Sequence, residues 1–201
     1  MLRQIYYSFL VYRSIVAPFL VVCAVAVPCW VAFRLYRRRT TVHRPSLPRE
    51  LLLLSFVVYL SGLAAATLPP SRPSRAVAES SAGIDLRPNV ASLTCSATFL
   101  PKGSTARAFC VRNARGNLML FFPLGLLIPL VWPRLRFWRG LQIAIAVSLG
   151  IELAQLLSRA WGSQRTADIN DLILNGVGAA LGLMLVHLLR WRPGARAVRA
   201  A

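Results

Sequence analysis

Apolar residues in this chain are gathered into five continuous runs. Each is close to the ~20 residues that a helix needs to cross the hydrocarbon core of a bilayer. The runs fall at about Ile15–Phe33, Leu51–Leu68, Asn117–Trp132, Leu141–Leu157 and Ile169–Leu189. Helices on the surface of a soluble domain show an apolar stripe of helical period, whereas unbroken runs mark helices that face lipid. The expected fold is therefore all-α, a polytopic transmembrane helical bundle of about five spans. The third run is short and holds Pro123 and Pro129, so four spans plus a re-entrant segment is the alternative.

Composition supports this reading. Apolar residues make up 56% of the 201 and charged residues only 15%, against about 25% charged in a soluble domain. The formal net charge of +18 would suit a nucleic-acid partner, but the placement of the charges argues against one. Arginines cluster at the ends of apolar runs, as at Arg34, Arg37, Arg38 and Arg39, and again at Arg134, Arg136 and Arg139. Membrane topology produces that pattern. The first run is too long for the h-region of a signal peptide and is followed by arginines rather than a cleavage site, so it reads as a retained helix. The expected organisation is an N-terminal segment 1–14, two spans with a basic connection over 15–68, a long loop 69–116, a three-span core 117–189 and a basic tail 190–201.

Orientation follows from counting Lys and Arg. The connection after the first span, the turn at 133–140 and the tail form one face and hold 13 of the 24 basic residues in short segments. The opposite face holds the rest, mostly diluted through the long loop. Density favours the first face as cytoplasmic, which places the N-terminus and the long loop outside. Cys95 and Cys110 both lie in that loop. An external loop allows them to pair, and the alternative is two separate thiols. Cys23 and Cys29 read as inert thiols of the first span.

Ionisable groups inside membrane spans are expensive and need a reason. Glu152 and Gln155 share a face of the fourth span. Asp168, Asp171 and Asn175 line one face of the fifth, with Asp168 suited to the N-cap and Asp171 to the first turn. Arg165 lies just before them, within reach of Asp168 or of a bound anion. Asn117 opens the third span. Three spans thus deliver polar residues to one depth on one side, which points to a functional polar site. The plainer reading for Glu152 is a helix-to-helix hydrogen bond with an amide such as Asn175. Gly178-x-x-x-Gly182, with Gly176 beside it, is a small-residue surface for close helix packing, within the bundle by default and between copies as an option. His187 reads as interfacial. No Cys/His cluster has zinc-ligand spacing, no Gly-rich nucleotide motif is present, and neither histidine is placed to activate Ser148. No metal and no cofactor is expected.

The string Asn117-Leu-Met-Leu-Phe121-Phe-Pro123-Leu124-Gly125, then Glu152-x-x-Gln155, then Arg165-x-x-Asp168-x-x-Asp171-x-x-x-Asn175-x-x-Gly178, resembles the VanZ-like family in order and spacing. The resemblance covers about Asn117 to Leu189, and Thr67-Leu68-Pro69 is similar to the family's earlier helix. Asn89-Val-Ala-Ser-Leu93 departs from the family's Asn-Leu-x-Pro-Phe-like loop element. The resemblance implies a small helical protein of the bacterial cell envelope, with an association to teicoplanin resistance in the named member.

Three functional readings follow. In the first, an outward polar site binds a lipid-linked cell-wall precursor or another cell-wall headgroup, or the glycopeptide's lipid tail engages the bundle, with membrane lipid as the standing partner. In the second, Glu152, Asp168 and Asp171 hold a divalent cation in an intramembrane enzyme acting on a lipid headgroup. The third is a small transporter or flippase subunit, which would need an oligomer.

Overall fold

The computed structural model describes residues 2–40, 46–68, 84–158 and 167–190, and within the first of these the side chains of 16–37 and 39. It divides into two compact units, Met1–Ser71 and Arg72–Ala201. Five helices are long and apolar enough to cross a membrane, so the chain is an all-α, multi-pass membrane protein.

The first unit pairs α1 (Leu2–Thr40) with α2 (Leu47–Thr67). The apolar run of the first span lies inside a longer helix that holds Pro18 and Pro28. Pro48 sits in the first turn of α2, where a missing N–H is harmless. Ser61 and Thr67 donate to the carbonyls of Val57 and Leu63 at 2.9 and 2.8 Å, which satisfies their hydroxyl donors within the helix. Glu50, in the first turn of α2, is buried and takes both ends of the Arg34 guanidinium, one through Nε at 3.0 Å. Residues on the other faces of α1, such as Leu20, Val21 and Val25, are exposed apolar surface suited to lipid.

The second unit runs β1 (Ile84–Asp85), α3 (Val90–Thr94), α4 (Thr105–Val131), α5 (Phe137–Leu157), β2 (Ala167–Asp168) and α6 (Ile169–Arg190). Its core is the contact of α4 with α6, with α5 against both. Phe121, Leu124 and Ile128 recur at helical spacing on α4 and are fully buried, as are Ala179 and Leu183 of α6 and Ala144 of α5. Leu149, Leu153, Val177, Leu181 and Leu188 remain exposed on the outer faces.

α4 begins at Thr105, well ahead of the Asn117 expected from hydropathy. Ser104 caps it, accepting from Arg107 N–H at 3.2 Å. The extra turns carry Arg107, Arg112 and Arg115, so an apolar-run criterion could not see them. Part of the expected loop is therefore ordered structure: β1, α3 and the head of α4. The helix continues through Pro123 and Pro129, which sets aside the re-entrant alternative. At its far end the Pro129 carbonyl is one of the orphan acceptors of a helix terminus. Pro133 has no N–H to offer it, and Arg190 Nη2 at the end of α6 donates to it at 2.7 Å.

Glycine sets the spacing of α4 and α6. A Cβ on Gly125 would collide with the Ala179 carbonyl, one on Gly182 with the Phe122 carbonyl, and one on Gly178 would lie 2.5 Å from the Leu118 carbonyl. The two backbones touch there. Gly176 does not belong to that surface. It is two residues, or about 200°, around α6 from Gly178, and among the described residues nothing lies within 4 Å of its would-be Cβ.

Candidate polar site

Two short connections join the polar ends of the helices in the second unit. β1 pairs in parallel with β2, Ile84 opposite Ala167 and Asp85 opposite Asp168. At the end of β2, Asp168 Oδ1 accepts from the backbone N–H of Asn170 at 2.8 Å and from its side-chain amide at 2.7 Å. Asp168 thus caps α6, as its position suggested. Asn170 is buried and its Oδ1 accepts from Asn89 N–H at 2.9 Å. Asn89 in turn caps α3, accepting from Ala91 and Ser92. An asparagine ladder therefore ties α3 to the start of α6.

Cys95, the C-cap of α3, is joined by a disulfide to Cys110 on α4, with Cα atoms 5.8 Å apart. Its φ of 48° places the backbone in the left-handed region that commonly ends a helix, a position glycine usually fills. Arg107 Nε donates to the Cys95 carbonyl at 3.1 Å. α3 is thus held on one side by a covalent link to α4 and on the other by Asn89 on Asn170.

Asp171, in the first turn of α6, lies against α4. Its Oδ1 accepts from the side-chain amides of Asn117 at 2.6 Å and Asn113 at 2.8 Å. Asn113 and Asn117 are one turn apart, so both amides reach the same oxygen. Glu152, at the end of α5, accepts from Asp168 N–H through Oε2 at 3.3 Å. These described hydrogen bonds come from neutral amide and backbone donors, and they fix the orientation of the carboxylates. The first turn of α6 also favours anionic side chains through its exposed N–H groups.

Deeper in the bundle, Asn175 Nδ2 donates to Ser148 Oγ at 2.8 Å, both fully or nearly buried. Asn175 therefore bonds to Ser148 in place of the expected Glu152. Asn175 Oδ1 has no partner among the described residues. Gln155 is buried on α5, one turn beyond Glu152. Arg165 lies outside the described residues. His187 uses Nδ1 on the Leu183 carbonyl at 2.9 Å and stands edge-on to Phe137, away from this cluster.

The structure brings Asn117, Glu152, Asp168 and Asp171 to one end of the three-helix core. Asn113 and Asn170 belong to the same cluster and are absent from a reading based on apolar runs. Asn113 lies one turn before the expected start of its span, and Asn170 sits between two acids that draw the eye. No group of three His, Cys, Asp or Glu residues among those described is arranged to hold a metal ion.

These features define a polytopic helical membrane protein whose polar residues converge at one end of its core. A family model described as VanZ/LLP1 matches residues 56–190. The chain belongs to this family. The matched region starts within α2 and takes in α3 and the head of α4 as well as the three core helices. No curated protein and no solved structure gives a match.

Proposed function

We propose that this protein is an envelope component of a bacterial cell membrane whose polar site binds the headgroup of a lipid-linked or cell-wall compound on the outer face, and through it contributes to teicoplanin tolerance. The observation that carries the reading is the convergence of Glu152, Asp168 and Asp171 from α5, β2 and α6. Neighbouring amides and backbone N–H groups hold the three carboxylates in place at one end of an apolar bundle, where ionisable groups are rare and mark functional positions. They suit amine and hydroxyl donors, which cell-wall headgroups carry in number.

The orientation that goes with this reading puts the N-terminus, the α3 region and the polar site outside, and the C-terminus in the cytoplasm. The Cys95–Cys110 disulfide supports it, because such bonds persist in oxidising compartments. So does the density of arginine on the opposite face.

The test is susceptibility to teicoplanin and vancomycin in a Gram-positive host, comparing empty vector, wild type and Glu152→Gln at matched membrane levels. Selective teicoplanin tolerance from wild type, lost in the variant, is the expected result. Unchanged susceptibility with wild type would remove the tolerance role. Full tolerance with Glu152→Gln would remove the carboxylate site.

A further inference from the structure

The head of α4 has two unlike faces. Asn113 and Asn117 look toward α6 and hold Asp171. On the opposite side an open groove of about 680 Å³ runs along the helix, lined by Arg107, Ala108, Val111, Arg112, Arg115 and Met119. At 100° per residue, Arg107, Arg115 and Arg112 fall within about 140° of one another, with Arg115 between the other two. The loop arginines that seem diluted along the sequence are thus concentrated on one helical face. No carboxylate lines the groove among the described residues.

We propose that this groove binds the phosphate of an anionic glycerophospholipid from the surrounding leaflet. Charge complementarity selects the headgroup: guanidinium groups present paired N–H donors to phosphate oxygens. Arg107 is anchored by the Cys95 carbonyl, and Arg112 rests over the Phe109 ring at 5.7 Å, so both side chains are held near the groove. The floor selects a lipid over a free anion. Val111 lies among the arginines, and Met119, one turn beyond Arg115 toward the apolar part of α4, is 71% exposed. A phosphate at Arg112 and Arg115 would lay its acyl chains along that surface. Outward orientation adds a further reason, since arginines at an external membrane face run against the usual distribution and a bound anion would offset their charge. The proposal shares that orientation with the function above but not its binding residues.

The experiment uses the full-length protein purified in a neutral detergent with its disulfide intact. Retention of phosphatidylglycerol is compared with phosphatidylcholine by native mass spectrometry and by titration with mixed vesicles. Wild type should prefer phosphatidylglycerol, and Arg112→Gln/Arg115→Gln should bind it about 30-fold more weakly, the attraction of two interfacial arginines for an anionic headgroup. Helical content and the Cys95–Cys110 bond are checked in the same sample, and Arg112→Lys/Arg115→Lys should retain most of the preference. Equal binding of both lipids by wild type overturns the proposal. So does undiminished phosphatidylglycerol binding by the glutamine variant. Displacement of the lipid by equimolar inorganic phosphate would show a site for free anion and overturn the assignment to lipid.

Discussion

Asn117 Nδ2 on α4 donates to Asp171 Oδ1 on α6 at 2.6 Å. Asn113 reaches the same oxygen from one turn earlier, so two neutral amides fix one carboxylate at the mouth of the helix pair. Hydrogen bonds to a charged acceptor contribute about 1.5–3 kcal/mol each. Asp171→Ala should therefore lower the stability of the purified protein measurably, and Asn117→Ala should do so by less because Asn113 remains. A double-mutant cycle on Asn117 and Asp171, read from thermal unfolding in detergent, should show coupling of about 1 kcal/mol or more. Additive effects would mean that the two side chains do not act on each other.

The contact of α4 and α6 predicts a sharp contrast among glycines on the same helix. Gly182→Leu must push the helices apart, because its side chain would enter the Phe122 backbone. Loss of a monodisperse folded species on size-exclusion chromatography is the expected result. Gly176→Ala meets open space and should be tolerated, or slightly stabilising as a better helix former. Equal tolerance at both positions would show that the helices do not touch at Gly182.

Arg190 closes the opposite end of the same helix pair through the Pro129 carbonyl. Arg190→Ala should cost about 1–3 kcal/mol, the penalty for a carbonyl left without a donor. Arg190→Lys should recover part of it, since an ammonium can donate to the same oxygen with a different reach. Thermal unfolding of the three proteins side by side separates these outcomes.

In the first unit the Arg34–Glu50 pair joins α1 to the first turn of α2. Removing one member leaves a buried charge, which typically costs about 3–5 kcal/mol. Arg34→Ala, which takes this partner from the buried Glu50 carboxylate, should therefore destabilise the protein more than Arg34→Ala/Glu50→Ala, in which that carboxylate is also removed. The comparison is made by denaturation of detergent-solubilised protein. If the double variant is the less stable of the two, the pair does not act as a unit.

Much of this architecture is legible in the sequence because lipid imposes one simple rule: spans must be long and apolar. Five apolar runs give five helices, and the family motifs fall on α4, α5 and α6. The rule fails where helix and membrane span part company. Arg112 and Arg115 disguise the first turns of α4 as loop, and they hide Asn113 with those turns. The partner of Asn175 was equally hidden: Ser148 and Glu152 lie one turn apart on α5, and sequence spacing cannot tell which of them faces α6. The link from Asn89 to Asn170 spans 81 residues and depends on a parallel pairing of two-residue strands, a contact with no local signature.

The Cys95–Cys110 disulfide offers a test of both stability and sidedness. It closes a loop of sequence separation 15, and a loop of that length contributes about 3 kcal/mol through the entropy of the unfolded chain. Cys95→Ser/Cys110→Ser should lower the melting temperature, and reductant should lower that of wild type but not of the variant. In a Cys23→Ala/Cys29→Ala background the only thiols are these two. Intact cells should then resist a membrane-impermeant maleimide until a membrane-impermeant reductant is added, and label afterwards. Labelling only after lysis and reduction would put the α3 region in the cytoplasm. The outward polar site would fall with it, because Asn89 on Asn170 holds α3 and the Glu152–Asp168 cluster at the same end of the core.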